Sequence, residues 1–195
     1  MEKKLTSRDK QAITTRQKIY KVGMRLIQKY GIDRVGVSQI AKAAGVSVGT
    51  FYHYYKSKLD LFMDIYRQAD SFYESELAPQ LEGLSFEEKV QTFFREYASL
   101  AINNGVQLTQ KMYVPENSLF ISRDTGMHKV LQAIITKAQA DGECSLVQAP
   151  EEIAEELFIT ARGVVFDWAL HEGHYDLKEK MEKMLEIYIN AIKNC

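Results

Sequence analysis

The run VSQIAKAAGVSVGTFYHYYKSK, from Val37 to Lys58, constrains the chain more than any other stretch. Ser38 is a good N-cap residue, Ile40, Ala41 and Ala44 share one side of a short helix, and Gly45 can adopt the positive φ that ends it. Ser47 then caps a second helix two residues later. Two short helices meeting at a glycine turn, with small residues where they cross, form a helix-turn-helix pattern. On the second helix, Phe51 and Tyr55 are four apart and can face inward together. Val48, Gly49, Thr50, Tyr52, His53 and Tyr54 then point outward or toward the N-terminal end. Flat apolar bodies with hydrogen-bonding tips suit groove edges and phosphates.

The segment GVSVGTFYHYYKSKLDLF, preceded by VSQIAKAA, resembles the DNA-binding domain of TetR-family regulators. The resemblance covers roughly Thr14 to Phe62. Two positions depart from the family's usual form. Tyr55 stands where Phe is common, so its phenol needs a partner in the domain core, and Leu59 stands where Glu is common. The resemblance implies roles residue by residue. Val48, Gly49, Tyr52 and His53 match base-facing positions, with Val48 suited to a thymine methyl and Gly49 to close backbone approach. Ser38, Ser47, Thr50, Tyr54 and Lys58 match phosphate-facing ones.

Charge agrees with this division. The 195-residue chain has a net charge of −1, yet residues 1–58 hold 13 Lys and Arg against 3 Asp and Glu, leaving 12 against 23 beyond. A basic module attracts a polyphosphate by counterion release, and an acidic remainder is repelled by it. The expected domains are therefore 1–58, a three-helix DNA-binding unit with a basic arm at 1–12 that orders on DNA, and 59–195.

The expected class is all-α, since no segment alternates at period two long enough to make a strand. Ile19, Val22, Leu26 and Tyr30 mark a first helix ending at Gly31. After Lys58 a helical period runs through Leu61, Phe62, Ile65, Ala69, Phe72, Tyr73 and Leu77 as far as Pro79, long enough to carry motion between the two domains. Ser85 and Glu88 form a capping box that opens a helix with Phe86, Val90, Phe93, Phe94, Tyr97 and Leu100. Mixed signals between Val106 and Ser122 read as a short helix and loop, with a break at Val114-Pro115. Met127, Val130, Leu131, Ile134, Ile135 and Ala138 mark a further helix. Pro150 opens the next, and the last carries Leu177 to Ile192.

The final two helices have more apolar surface than one neighbouring helix can cover. The family's four-helix dimer seam implies a homodimer through Val164, Leu177, Met181, Leu185, Tyr188, Ile189 and Ile192, as two equivalent half-sites would also require. The family likewise holds a small effector in its second domain. Tyr66, Phe94, Tyr97, Met112, Tyr113, Phe120, Met127, Phe158 and Trp168 supply large adaptable side chains for an apolar or aromatic molecule, within a wider group that includes Phe72 and Phe166.

Other chemistries find little support. His171, Glu172, His174 and Asp176 have the composition of a metal cluster, but Gly173 interrupts the helical geometry and the helix dipole accounts for the histidines. Nothing resembles a nucleophile elbow, a Gly-rich phosphate loop or a cysteine-histidine pair, so an enzyme and a bound cofactor are not expected. Cys144 and Cys195 are too far apart in sequence for a metal or redox motif. No stretch is apolar enough to cross a membrane, and the charged start lacks a leader's apolar core, so a cytoplasmic location is expected. The reading is a DNA-binding transcriptional regulator, most simply a repressor released from a palindromic operator by a small molecule. The alternatives are an effector-independent DNA-binding adaptor and a helical ligand- or metal-carrying protein.

Overall fold

The computed structural model describes residues 6–58, 60–113, 120 and 122–193, with only the backbone of residues 62 and 63. Every regular element among them is helical: α1 (Ser7–Tyr30), α2 (Val37–Ala44), α3 (Val48–Tyr54), α4 (Asp60–Phe72), a π-helical turn (Tyr73–Leu77), α5 (Ala78–Gln80), α6 (Phe86–Asn104), α7 (Val106–Met112), α8 (Gly126–Ala140), α9 (Pro150–Leu170) and α10 (Leu177–Lys193). Two compact units divide between Arg67 and Gln68, within α4, rather than after Lys58. The reason is chemical. Leu61, Asp64 and Ile65 of α4 are buried, and the Asp64 carboxylate is tied to Arg16 and Tyr55 of the first unit.

In the first unit, α1 starts earlier than the apolar period indicates. Thr6 caps it, accepting from the Asp9 N–H while the Asp9 carboxylate accepts from the Thr6 N–H. Residues 7–12 of the expected arm are therefore helical, and residues 1–5 lie outside the described set. The buried side of α1 is Ile19, Gly23, Met24 and Ile27 rather than the row ending at Tyr30, which is exposed. Gly23 marks a close approach, since a Cβ there would lie 2.9 Å from Leu61. At α2 the cap is Gly36 and not Ser38; the Gly36 N–H donates to Gln39 Oε1 at 2.8 Å. Gly45, at φ +66°, ends α2, and Ser47 caps α3 by accepting from the Thr50 N–H.

The second unit is built around α6, which packs against α7, α8, α9 and α10. Ser85 and Glu88 close its first turn reciprocally, as the sequence indicates. The long segment expected as far as Pro79 is helical but passes through the π-helical turn, which leaves Tyr73 and Leu77 both buried. The Tyr73 hydroxyl donates to the Phe93 carbonyl at 3.0 Å, tying this turn to α6. Where α8 meets α4 the chains nearly touch: a Cβ on Gly126 would lie 2.8 Å from the Asp70 carbonyl oxygen. The expected break at Val114-Pro115 and the apolar Leu119 and Ile121 fall outside the described residues, as do Leu59 and Cys195.

The structure places the residues expected at a dimer seam on α9 and α10 largely inside the single chain. Leu185 and Ile189 are 0% exposed, and Val164, Leu177, Met181 and Ile192 are also buried within the single chain. Tyr188 is half-buried, and its hydroxyl is bonded to Glu156. The strongest apolar stripe of α10 is covered by α6 and α9 of the same chain. A second stripe remains exposed: Ile159, Phe166 and Leu170 on α9, with Met184 and Ile187 on α10. Gly163 lies on the same α9 face, in open space.

The Asp64 cluster governs the first unit. Its carboxylate accepts from Arg16 Nε (3.1 Å) and Nη2 (2.5 Å), from Arg67 (2.6 Å) and from the Tyr55 hydroxyl (2.6 Å). Because both arginines are partly solvated, Asp64→Ala should cost about 2 kcal/mol rather than the full penalty of a buried charge. Urea denaturation of the purified protein checks this, with loss of the first unit's helical signal before the second's.

Candidate DNA interface and effector domain

The recognition surface follows from how α3 is held. Phe51 and Tyr55 are buried, with ring centroids 5.7 Å apart, and Arg16 lies over the Tyr55 ring at 5.5 Å. The phenol that the sequence marked as needing a partner finds it in Asp64, with the Arg16 carbonyl oxygen 3.2 Å away. Burial, and then the Asp64 charge, push this phenol well above its ordinary pKa. With Phe51 of α3 and Tyr55 at its end pinned inward, Val48, Gly49, Tyr52 and His53 are all exposed, and Thr50 and Tyr54 are partly so. Ser38 is exposed on α2. Ser47 and Thr50 hydroxyls are 2.8 Å apart, so one phosphate oxygen can meet both. The Lys58 ammonium donates to the carbonyls of Ile32 (2.6 Å) and Val35 (3.0 Å). Lys58 thus ties the loop before α2, and one of its three N–H donors is left for a phosphate.

In the second unit the residues expected at an effector pocket fall into several places. Phe94, Tyr97 and Phe158 are buried together with Phe93 and Tyr73, in edge-to-face pairs at 4.5–6.1 Å. Tyr113 and Phe120 pair at 4.7 Å, with Phe166 5.8 Å from Tyr113. Met112, Met127 and Trp168 are buried, and Trp168 lies against Gly173. Tyr66 belongs to the first unit and is not part of this group. None of these residues lines the open surface groove of about 640 Å³, whose walls are Ala78, Leu81, Val130, Ala133 and Ile134 with Lys89, Lys129 and Lys137 among its charged members.

Beside the aromatic cluster lies a polar group that the sequence reasoning missed. His128, 6% exposed, stacks on Phe158 at 4.2 Å. Its Nδ1 is 2.8 Å from Thr125 Oγ1, and its Nε2 has no hydrogen-bond partner among the described residues. Glu155 Oε2 lies 3.8 Å from that Nε2, and the same carboxylate is paired with Arg162 (2.7 Å) and Arg123 (3.6 Å). Asp70 accepts from the Met127 N–H at 3.0 Å at the start of α8, where the helix dipole favours an anion. Burial raises the Asp70 pKa and lowers that of His128. A titratable residue one position from Met127, in the Met127-Leu131-Ile135 stripe, was the available signal. Among the described residues no group of His, Cys, Asp and Glu is placed to hold a metal, and no helix is long and apolar enough to cross a membrane.

A helix-turn-helix with an exposed recognition face, followed by an all-helical domain with a large aromatic core, defines a two-domain DNA-binding transcriptional regulator. Residues 19–65 match the family model described as bacterial regulatory proteins, tetR family. The likeness extends along its length. The fatty acid metabolism regulator protein of Bacillus subtilis (strain 168) is 23% identical over 183 residues, 90% of this chain and 94% of that one. The transcriptional regulator AcrR of Shigella flexneri is 41% identical, but over 61 residues, 31% of this chain and 28% of that one. Among solved structures, FadR of Thermus thermophilus in complex with lauroyl-CoA superposes with a TM-score of 0.73 at 23% identity, covering 88% of this chain and 92% of that one. FadR of B. subtilis in complex with stearoyl-CoA gives 0.70 at 24% identity, covering 90% and 98%.

His128 faces Asp70 and Thr125 on one side and Glu155, Arg162 and Arg123 on the other. Its folded pKa lies below the ordinary 6.5, so between those values the unfolded chain holds a proton that the folded chain does not. Stability from this residue is complete above pH 6.5 and is lost on acidification toward the folded value. Denaturant titrations at stepped pH should show the fall in wild type and a shallower one in His128→Phe.

Proposed function

We propose that this regulator is a repressor that binds a palindromic operator as a homodimer and leaves it when a long-chain acyl thioester enters the second unit. The observation that carries the DNA reading is the exposed end of α3. Val48, Gly49, Tyr52 and His53 are presented for base edges, with Ser38, Ser47, Thr50, Tyr54 and the remaining donor of Lys58 for phosphates. Such a protein acts where the chromosome is, in the cytoplasm.

The dimer seam is assigned to the exposed stripe of Ile159, Phe166, Leu170, Met184 and Ile187, with Gly163 admitting close backbone approach. A contiguous apolar face on two neighbouring helices is what a symmetric partner would cover. The two stripes of α10 separate experimentally. Ile187→Asp should give folded monomers by sedimentation and weaken operator binding, because a two-half-site contact is lost. Leu185→Asp should instead unfold the second unit by several kcal/mol, since an unpaired charge would be buried in its core.

Two observations support the effector class. The regulators similar over nearly the whole chain include one of fatty acid metabolism and two FadR proteins holding lauroyl-CoA and stearoyl-CoA. The aromatic cluster around Phe94, Tyr97 and Phe158 is apolar and closed. A ligand that must part a packed cluster binds one conformation far better than another, and only that difference shifts an equilibrium. A groove equally open in both conformations shifts nothing when it is filled. The coupling is assigned to α4, which spans the division between the units and whose Asp70 sits at the start of α8.

Selection from random duplex DNA should yield a near-palindrome with half-sites about ten base pairs, or a small multiple, apart. Gel shifts on that sequence should show release by lauroyl-CoA at micromolar concentration and none by coenzyme A alone. Binding indifferent to every acyl thioester would support an effector-independent adaptor instead.

A further inference from the structure

The open groove of about 640 Å³ in the second unit carries a charge pattern that neither the packing of the unit nor the effector uses. One long side comes from the π-helical turn, α5 and the turn after it, and the other from α8. The two segments run side by side in the same direction. Gly126 opens α8 against the Asp70 carbonyl and Glu74, and beyond the far ends the Phe86 N–H donates to Glu143 at 2.9 Å. Along the first side the lining residues Glu74, Ala78 and Glu82 recur at every fourth position, and along α8 so do Lys129, Ala133 and Lys137. Each side is thus charge, alanine, charge, acidic on one and basic on the other. Buried Leu81 and half-buried Val130 and Ile134 supply an apolar floor. The ion pairs of Lys129 and Lys137 do not cross the groove, since their partners are Asp124 (2.7 Å) and Asp141 (3.0 Å), just outside the ends of α8. Both lysines are well exposed, and exposed pairs of this kind are weak and exchange readily.

We propose that this groove docks an amphipathic helix of another protein. Acidic residues line the flank that faces Lys129 and Lys137, basic residues the flank that faces Glu74 and Glu82, and an apolar stripe lies between. Laid with that stripe down, a helix keeps its polar back in water, which an open groove permits. A small molecule would be left uncovered, since a ligand pocket encloses most of its occupant. The alanines at the middle of each side allow close approach, and Lys129 and Lys137 stand two turns apart, about 12 Å, in register with two turns of a partner. Lys89, from the start of α6, is the remaining cation of the lining and favours the C-terminal end of the docked helix, where its dipole is negative. A second copy of this chain does not satisfy the geometry. A recess cannot seat on its own image about a two-fold axis, and any other surface placed in it would make a head-to-tail contact that does not close. None of the residues assigned to the effector lines this groove, so the two sites are separate.

Three stapled helical peptides of about 18 residues test the flanks, stapling being needed because so short a helix is marginal alone. They share one leucine stripe and differ only beside it: glutamate on one flank and lysine on the other, glutamate on both, or lysine on both. Fluorescence anisotropy with the whole chain at low ionic strength should show the mixed peptide binding about tenfold tighter than either single-sign peptide, because attractive pairs replace repulsive ones on one flank. In the double variant Lys129→Glu/Lys137→Glu both sides are acidic, so the all-lysine peptide should become the tightest. A changed order of preference is not what loss of folding gives. Ala133→Trp fills the recess from an exposed position and should weaken all three by about tenfold or more. Equal binding of the three peptides to wild type, as plain apolar adhesion would give, overturns the proposal. So does an order that the charge reversal leaves unchanged. Sedimentation of the protein alone tests the other occupant. Association that Ala133→Trp abolishes and Ile187→Asp leaves intact would mean that a second copy fills the groove, and it overturns the partner helix.

Discussion

A single carboxylate organises the DNA-binding unit. Asp64 is nearly buried, and the groups that neutralise it come from three places: Arg16 on α1, Tyr55 at the end of α3 and Arg67 one turn along α4. Each would be poorly placed without the others. A buried carboxylate without its arginines would be costly, and a buried phenol without the carboxylate would lose its short hydrogen bond. Satisfying all of them fixes where α3 ends relative to α1 and α4. The orientation of the recognition face is a consequence, since Phe51 and Tyr55 can turn inward only when this network closes. Cation and ring reinforce it, with Arg16 over Tyr55.

Much of this was legible in the sequence, and the misses have physical causes. The helix-turn-helix was readable because Gly45 and Ser47 are local signals, a positive φ and a cap, that need no tertiary partner. The same holds for the Ser85-Glu88 capping box. The start of α1 was misjudged because polar residues 7–12 carry no apolar period, although Thr6 and Asp9 form a capping box there. The α10 stripe was legible as buried, but periodicity does not say by what. Leu185 and Ile189 lie against the chain's own α6 and α9, and the fainter row through Met184 and Ile187 is the exposed one. His128 could not be weighed from sequence because its significance depends on Glu155, brought close by the packing of α8 on α9.

The second unit combines rigid and yielding parts in a way that suits its assigned role. α6 is capped at its start and stopped by Gly105 at positive φ, and its phenylalanines are wholly buried. Against this frame, the π-helical turn between α4 and α5 relaxes the helical register by one residue over one turn, a feature often found where a helix must adapt. Nearby, α8 approaches the α4 backbone so closely that only glycine fits at position 126. Asp70 holds that contact through the Met127 N–H. Any change in the position of α8 therefore reaches α4 through backbone and a charged side chain rather than through soft apolar contacts.

The faces of α3 have different obligations, and evolution can treat them separately. Phe51 and Tyr55 are committed to the core, so their replacement costs the whole unit its stability. Val48, Tyr52 and His53 are exposed and bury little that the fold depends on. Drift at these positions is nearly free of folding cost, so descendants of this chain can acquire new operators by a few substitutions while keeping the same scaffold, and gene duplication followed by divergence at this one helix face is an accessible route to a new regulatory circuit.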